Sequence, residues 1–407
     1  MLKCGLLGEK LGHSYSPQIH GMLADYEYKL YERAPEELGD FLKNGEFDGL
    51  NVTIPYKKTV IPYCAELSDI ARRIGSVNTI VRRADGRLYG DNTDAFGFEG
   101  LVRHSGVEVA GKNAIVLGSG GASVTACAIL AELGAAKVTV ISRSGEYNYE
   151  NLERVADTQV IVNTTPCGMY PKTGVAAVDL RDFPKLEGVL DIVYNPARTA
   201  LLLQAEELGL PHAGGLYMLV AQAKRSAELF MGKTLPDSEI ARIRDAMLRD
   251  MQNIVLVGMP GSGKTTISER LAARLGRPVF DSDVLVRETA GKSAAQIITE
   301  SGEAEFRRQE TAAIGELGKR SGIIIATGGG CITRPENYPL LHQNGVIFWL
   351  QRSLDLLPTD GRPLSQRGSL EALYAARKDS YARFADFEID NNGTIDETVQ
   401  QIVEALG

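Results

Sequence analysis

The chain has 407 residues, 44% of them apolar and 24% charged, which is too long for one ordinary core and implies two or three globular domains. A net charge of −8 argues against a nucleic-acid or anionic-membrane surface and leaves only local basic sites for small anions. Cys4, Cys64, Cys127, Cys167 and Cys331 are scattered, no apolar run approaches the roughly 20 residues of a membrane span, and the apolar start at Gly5-Leu6-Leu7-Gly8 is too short for a signal peptide. The expectation is a soluble cytoplasmic protein with reduced thiols, no membrane segment and no obligate protein partner.

The first chemistry-bearing clusters precede residue 100. In His13-Ser14-Tyr15-Ser16-Pro17, a capped helix start with Ser16 at the N-cap and Pro17 at the first helical position accounts for Ser16 but not for Ser14. In Asn51-Val52-Thr53-Ile54-Pro55-Tyr56-Lys57, a strand ends and Pro55 is expected to start a helix. Lys57 then falls in the first turn, where the macrodipole disfavours a cation; a solvated surface lysine is the plainer reading. Ser76-Val77-Asn78-Thr79 and Asp91-Asn92-Thr93-Asp94 flank a hairpin predicted to turn at Asp85-Gly86, with Asn78 opposite Thr93 and Asp94 at the same end.

Further along, short runs rich in Val and Ile alternate with glycine-containing turns and helical patterns, as expected of parallel α/β units. They include Ala114–Leu117, Val138–Ile141, Val160–Val162, Val189–Val193, Ile254–Val257, Ile323–Ala326 and Val346–Leu350. The strand at 113–117 runs into Gly118-Ser119-Gly120-Gly121-Ala122-Ser123, then a helix to Leu133 and a strand to Ile141. That order fits a dinucleotide-binding unit, although Ser123 replaces the third glycine and a purely structural turn fits as well. At the end of the next strand stands Ser142-Arg143-Ser144, a cation between hydroxyls where NAD sites place an acid, which favours NADP over NAD.

Asp237 to Gln252 reads as a charged amphipathic helix, and a domain boundary is placed at about residue 250. The next strand, Asn253–Val257, opens Gly258-Met259-Pro260-Gly261-Ser262-Gly263-Lys264-Thr265-Thr266. A G-x-x-x-x-G-K-[ST] loop between a strand and a helix is a strong phosphate-binding signal. Gly261, Ser262 and Gly263 offer backbone N–H groups, Lys264 neutralises the β- and γ-phosphates of ATP, and Thr265, beside Thr266, is the expected Mg²⁺ ligand. No Asn-Lys-x-Asp motif occurs, which disfavours a GTPase. Phe280-Asp281-Ser282-Asp283, Gly302-Glu-x-x-Phe306-Arg307-x-x-Glu310, Gly328-Gly329-Gly330, Arg362-Pro363-Leu364 and Arg377-x-x-x-Tyr381 follow. Taken singly, Arg307 could be a surface ion pair and the glycines a strand-ending turn.

Together, the N-terminal clusters resemble shikimate dehydrogenase over residues 1 to about 245. The likeness continues through Asn163-x-Thr-x-x-Gly-Met169, Tyr194-x-Pro196 and Gly214-Gly215…Met218-Leu219-x-x-Gln222. The resemblance implies a two-lobed enzyme with a Rossmann-like NADP lobe that reduces 3-dehydroshikimate to shikimate with NADPH and no metal. It implies that Ser14, Ser16 and Tyr194 hold the carboxylate, Thr53, Asn78 and Gln222 the ring hydroxyls, and Lys57 with Asp94 the reacting oxygen. Gly215 would let the backbone approach the nicotinamide. Where the family often has a second basic residue beyond its arginine, this chain has Gly145-Glu146-Tyr147-Asn148, a departure that predicts a weaker NADP preference.

Residues 253 to 407 resemble shikimate kinase, which implies a parallel-sheet fold of the nucleoside monophosphate kinase type and phosphorylation of shikimate to shikimate 3-phosphate. By that resemblance Arg307 and Arg377 clamp the substrate carboxylate, Gly329 presents N–H to it, Asp283 binds the attacking hydroxyl, and Asp281 serves Mg²⁺ through its water shell. Arg362 would contact ATP, but Leu356-Leu357-Pro358-Thr359-Asp360-Gly361 lacks the additional arginine often found upstream. The expected layout is a substrate lobe at 1–100 rejoined by 220–245, an NADP lobe at 101–219, the end of a helix at 246–252 and the kinase at 253–407. Two rivals are quinate as a further substrate of the first part and one domain kept only as a scaffold.

Overall fold

The Val- and Ile-rich runs form strands because a parallel sheet covered on both faces needs apolar side chains pointing both ways. The computed structural model describes residues 1–12, 14–357 and 370–407. It forms two compact units, one of Met1–Met169, Val175–Tyr194 and Leu201–Ala246, the other of Tyr170–Gly174, Asn195–Ala200 and Met247–Gly407. No helix among the described residues is long and apolar enough to cross a membrane.

The first unit holds two sheets. In chain order, β1 (Lys3–Gly8), β2 (Glu27–Glu32), β3 (Gly49–Val52), β4 (Glu66–Leu67), β5 (Thr79–Arg82) and β6 (Leu88–Asp91) make a mixed sheet of order β2-β1-β3-β5-β6-β4. Strands β7 (Asn113–Leu117), β8 (Lys137–Ile141), β9 (Val160–Asn163), β10 (Gly188–Asp191) and β11 (His212–Ala213) make a second sheet, parallel throughout, of order β11-β10-β9-β7-β8. The alternation within β7 shows why: Ala114 and Val116 pack with Phe98, Leu101 and Ile129 on one face, Ile115 and Leu117 with Leu180 and Leu201 on the other.

The second unit is one parallel sheet of β12 (Asn253–Val257), β13 (Val279–Asp281), β14 (Ile324–Ala326), β15 (Gly345–Gln351) and β16 (Phe387–Asp390), in the order β13-β14-β12-β15-β16. In central β12, Val255 and Val257 face Ile314, Leu317 and Trp349, while Ile254 and Leu256 face Ile267 and Leu271. Carboxyl ends of parallel strands are where such sheets bind ligands, and the loops after β12, β13, β14 and β15 all reach one cavity.

Three local expectations are corrected. The helix Ser16–Leu23 has Tyr15, not Ser16, at its N-cap, without a side-chain cap; Ser16 N–H instead donates to Ser14 Oγ at 3.2 Å, which ties the two serines together. Pro55 does not start a helix: residues 54–60 are consecutive turns, with Tyr56 N–H donating to Thr53 O at 2.9 Å. The hairpin register is one residue off, with Thr79 opposite Asp91. Its loop has three residues, not two, because Arg83 N–H bonds Arg87 O at 2.8 Å and Gly86 takes the left-handed position at φ 81.

Candidate functional site

A cavity of about 270 Å³ in the first unit is lined by Ser14, Ser16, Thr53, Lys57, Asn78, Asp94, Tyr194 and Gln222, with Tyr15, Asn51, Ala122 and Gly215 beside them. Several chain ends converge here. Ser14 and Ser16 follow β1, Thr53 and Lys57 follow β3, and Asp94 follows β6 in the first turn of helix Thr93–Ser105. Asn92 caps that helix through Ala95 N–H at 3.2 Å. A carboxylate suits this position because the helix N-terminus is positive. Lys57 Nζ donates to Asp94 Oδ2 at 2.7 Å, and the two side chains keep 26% and 16% of their surface open, so the pair faces the cavity. Burial, then the neighbouring Tyr15, pushes the Tyr194 phenol up, so it stays a hydrogen-bond donor. Tyr15 meets the Tyr194 ring edge-on, with centroids 5.9 Å apart.

Behind the cavity lies a buried polar network that the sequence did not disclose. Asn78 Oδ1 accepts from Thr93 N–H at 2.7 Å. Ser226 Oγ, on helix Leu216–Met231, accepts from Asn51 Nδ2 at 2.7 Å and donates to Gln222 O at 2.9 Å; it lies 3.0 Å from both the Thr79 and Thr93 hydroxyls. This serine therefore joins the return helix to three segments that carry the site. Ser226→Ala leaves part of that network unsatisfied and is expected to lower stability by about 1–3 kcal/mol, which urea unfolding of the full chain would register; an unchanged midpoint would remove Ser226 from this role.

The glycine loop after β7 is open as a dinucleotide cradle requires. Gly118 is left-handed at φ 104, and a Cβ on Gly120 or Gly121 would meet nothing within 4 Å, which leaves open space over the loop at the helix start, while Ser123 is buried. Gly215 has a reason of its own: a Cβ there would overlap the Ile192 carbonyl. Arg143 is exposed in the turn after β8. Glu146, which breaks the basic pattern there, is met by Arg154, 3.1 Å from its carboxylate and stacked 4.5 Å from the Tyr147 ring; sequence reading passed over Arg154 because it sits eight residues downstream.

The second unit's cavity, of about 590 Å³, is lined by Gly261, Gly263, Lys264, Thr265 and Thr266 from the phosphate loop and by Asp281, Asp283, Arg307, Gly329 and Arg377, with Glu310, Gly330 and Arg352 among them. Ser262 is buried beneath the loop. Lys264 Nζ donates to Gly258 O at 2.9 Å and Met259 O at 3.1 Å. Thr265 Oγ1 lies 3.5 Å from Asp281 Oδ2, while Oδ1 of Asp281 accepts Asp283 N–H at 2.8 Å and caps helix Ser282–Ala290. One hydroxyl and one carboxylate oxygen at the cavity wall suit Mg²⁺, a hard cation that keeps several waters.

Asp283 is open to the cavity, yet the walls crowd its carboxyl: burial, then Asp281, pushes it above the usual carboxylate range, with Lys264 and Arg307 pulling back. Arg307 donates to Glu310 Oε2 at 2.6 Å and to Glu303 at 3.3 Å, and Arg377 donates to Gly329 O at 3.0 Å beside Tyr381 Oη at 2.6 Å. Gly329 packs on the Pro260 ring and Gly330 on the Arg307 guanidinium, where a Cβ on either would collide. Glu310 is fully buried with Oε1 unpartnered among the described residues. Arg362 and the segment 358–361, like His13, lie outside the described residues.

Against known proteins, residues 6–80 match the family model "Shikimate dehydrogenase substrate binding domain" and residues 260–407 match "Shikimate kinase". The shikimate dehydrogenase (NADP(+)) of Clostridium perfringens (strain SM101 / Type A) is 38% identical over 249 residues, 56% of this chain and 92% of its own. The chorismate mutase/shikimate 5-dehydrogenase fusion protein of Clostridium acetobutylicum matches with a TM-score of 0.57 and 35% identity over 61% of this chain and 97% of its own. Shikimate 5-dehydrogenase from Thermus thermophilus in complex with NADP(H) and shikimate matches at TM-score 0.55 and 30% identity, over 60% and 99%. The chain belongs to the shikimate dehydrogenase family, and its C-terminal part, from residue 260 to the end, is a shikimate kinase domain.

Proposed function

We propose that this chain carries out two consecutive reactions: reduction of 3-dehydroshikimate to shikimate with NADPH, then phosphorylation of shikimate by ATP to shikimate 3-phosphate. The dehydrogenase comprises a substrate lobe at 1–100 with 220–245 and an NADP lobe at 101–219; the kinase is 253–407, after a helix end at 246–252. Both act on free small molecules in the cytoplasm, without nucleic acid or an obligate protein partner.

The Lys57–Asp94 pair facing the cavity carries the first assignment. NADPH, when bound, supplies the hydride. As the carbonyl carbon is reduced its oxygen gains negative charge, which the Lys57 ammonium stabilises and then protonates; Asp94 fixes the ammonium, and Lys57 regains its proton from solvent. Ser14, Ser16 and Tyr194 hold the carboxylate; Thr53, Asn78 and Gln222 hold the ring hydroxyls. Gly118, Ser119, Gly120, Gly121, Ala122, Ser123 and Gly215 take the cofactor, with Arg143 at the 2′-phosphate.

For the kinase, the supporting feature is a pair of arginines lining the same cavity as the phosphate loop. Arg307 and Arg377 clamp the shikimate carboxylate, a planar anion suited to guanidinium forks, with Gly329 N–H. Asp283 orients and deprotonates the 3-hydroxyl that attacks the γ-phosphorus, and Lys264 with Gly261–Thr266 and Arg362 steadies the phosphates. Thr265, and Asp281 through its water shell, would hold Mg²⁺, which would neutralise charge on the phosphates.

The test is 3-dehydroshikimate with NADPH, followed by ATP, using the full chain; no shikimate 3-phosphate would sink the kinase assignment. Initial rates on shikimate and quinate, each with NADP and NAD, separate the quinate reading. Because Gly330 leaves room for the Arg307 guanidinium, Gly330→Ala is expected to raise KM for shikimate about 10-fold, the scale of one weakened charge-assisted contact, with KM for ATP unchanged. Equal changes in both constants would instead point to general damage.

A further inference from the structure

The part of the kinase cavity beside the phosphate loop contains a cation for which the proposed function has no use. Arg352 is the first residue after β15, the strand paired with the phosphate-loop strand β12 through Val257 and Trp349. That placement sets it at the carboxyl end of the sheet next to the loop. Its Nη1 lies 3.8 Å from where a Cβ of Gly263 would be, and the Asn391 amide lies equally close. Asn391 Nδ2 in turn donates to Ser262 O, so this flank of the cavity belongs to the loop. Arg307 and Arg377, by contrast, stand at the Gly329–Gly330 flank.

The guanidinium is partly buried, and its Nε is buried without a hydrogen-bond partner among the described residues, none of which pairs with it as an anion. Arginines with structural duties in this chain look different. Arg82, for example, donates to the carbonyls of Phe47, Leu42 and Gly45. A partly buried cation with no partner is costly unless an anion arrives from outside. The anion the neighbouring loop is built for is a phosphate chain. The segment ahead of Arg362 offers no arginine of its own, which leaves Lys264 and Arg352 as the cations on the loop side among the described residues.

We infer that Arg352 grips the phosphate chain of the bound nucleotide, supplying from the end of a core strand a charge that the segment ahead of Arg362 lacks. This rests on the kinase reading above. The reason is geometric as well as electrostatic: a residue fixed to the end of a sheet strand holds its cation at the loop.

The test is calorimetric titration of the full chain with ADP and Mg²⁺ for the wild type, Arg352→Ala, Arg352→Gln and Arg352→Lys. Alanine and glutamine are expected to weaken ADP binding about 10- to 100-fold, the range for losing charge-assisted hydrogen bonds, and lysine to restore part of it. Shikimate affinity and the NADP-linked reaction should stay within about twofold, and the ligand-free melting temperature should not fall, since an uncompensated charge has been removed. ADP affinity unchanged in Arg352→Ala overturns the inference. So does a loss shared equally by shikimate binding and accompanied by a lower melting temperature, which marks a structural role. A wild type that binds ADP yet makes no shikimate 3-phosphate defeats the acceptor assignment instead, and the ADP titrations still decide on Arg352.

Discussion

Lys57→Ala is expected to reduce kcat for 3-dehydroshikimate reduction by about 10²–10⁴-fold, the span associated with losing a positioned proton donor. Two effects combine. The developing alkoxide loses a cation aimed at it, and Asp94, 2.7 Å from Lys57 Nζ in the intact protein, becomes an unpaired negative charge facing the same oxygen. The fold should tolerate the change, because Asp94 keeps its favourable place at a helix N-terminus. Shikimate phosphorylation by the same variant should proceed at the wild-type rate, which serves as an internal control. NADPH consumption followed alongside shikimate 3-phosphate formation checks both. A fall of less than tenfold would mean that another group delivers the proton.

Asp283→Asn should have an effect of similar size on the second reaction, about 10²–10⁴-fold in kcat, because asparagine can hold the hydroxyl but cannot accept its proton. The wild-type pH profile gives an independent reading. Burial and Asp281 raise the Asp283 carboxyl. A base with a raised pKa is lost as pH falls through that raised value, so the acid limb of the kinase rate should lie above the usual carboxylate range. In Asp283→Asn the residual rate should lose that limb, while ADP should still bind, since Lys264 and the backbone N–H groups of the phosphate loop are unchanged. An acid limb persisting unchanged in the variant would assign the titration elsewhere, with buried Glu310, also raised by burial, the first group to examine.

Strands buried on both faces were the most legible part of the chain. Runs such as Val160–Val162 and Val346–Leu350 need no alternation to be read, since each side chain meets a core. The glycine loops were equally plain, because their function is backbone exposure at fixed spacing. Turn geometry was less so. Pro55 and the hairpin at Ala84–Gly86 depend on the conformation of one or two residues, and a three-residue loop looks like a two-residue one until the register is known. Least visible were groups whose meaning comes from convergence. Ser226 is an ordinary helix residue until Asn51, Thr79 and Thr93 arrive from elsewhere, and Arg352 is a polar residue after a strand until β12 is placed beside it. A signal for Arg352 did exist: a cation at the carboxyl end of an otherwise apolar strand.

The hydrogen bonds of Lys264 have a consequence for how the kinase meets its nucleotide. Its ammonium is already held by the carbonyls of Gly258 and Met259, so the loop carries a placeholder for the ligand within its own backbone. Phosphate entry then exchanges partners instead of recruiting a wandering side chain, and much of the lysine's rotamer entropy has been surrendered during folding. What the nucleotide gains is the difference between a charged phosphate oxygen and a neutral carbonyl as acceptor. Discrimination at this position therefore turns on the charge of the incoming group, and a neutral isostere of the phosphate chain should be unable to dislodge the placeholder.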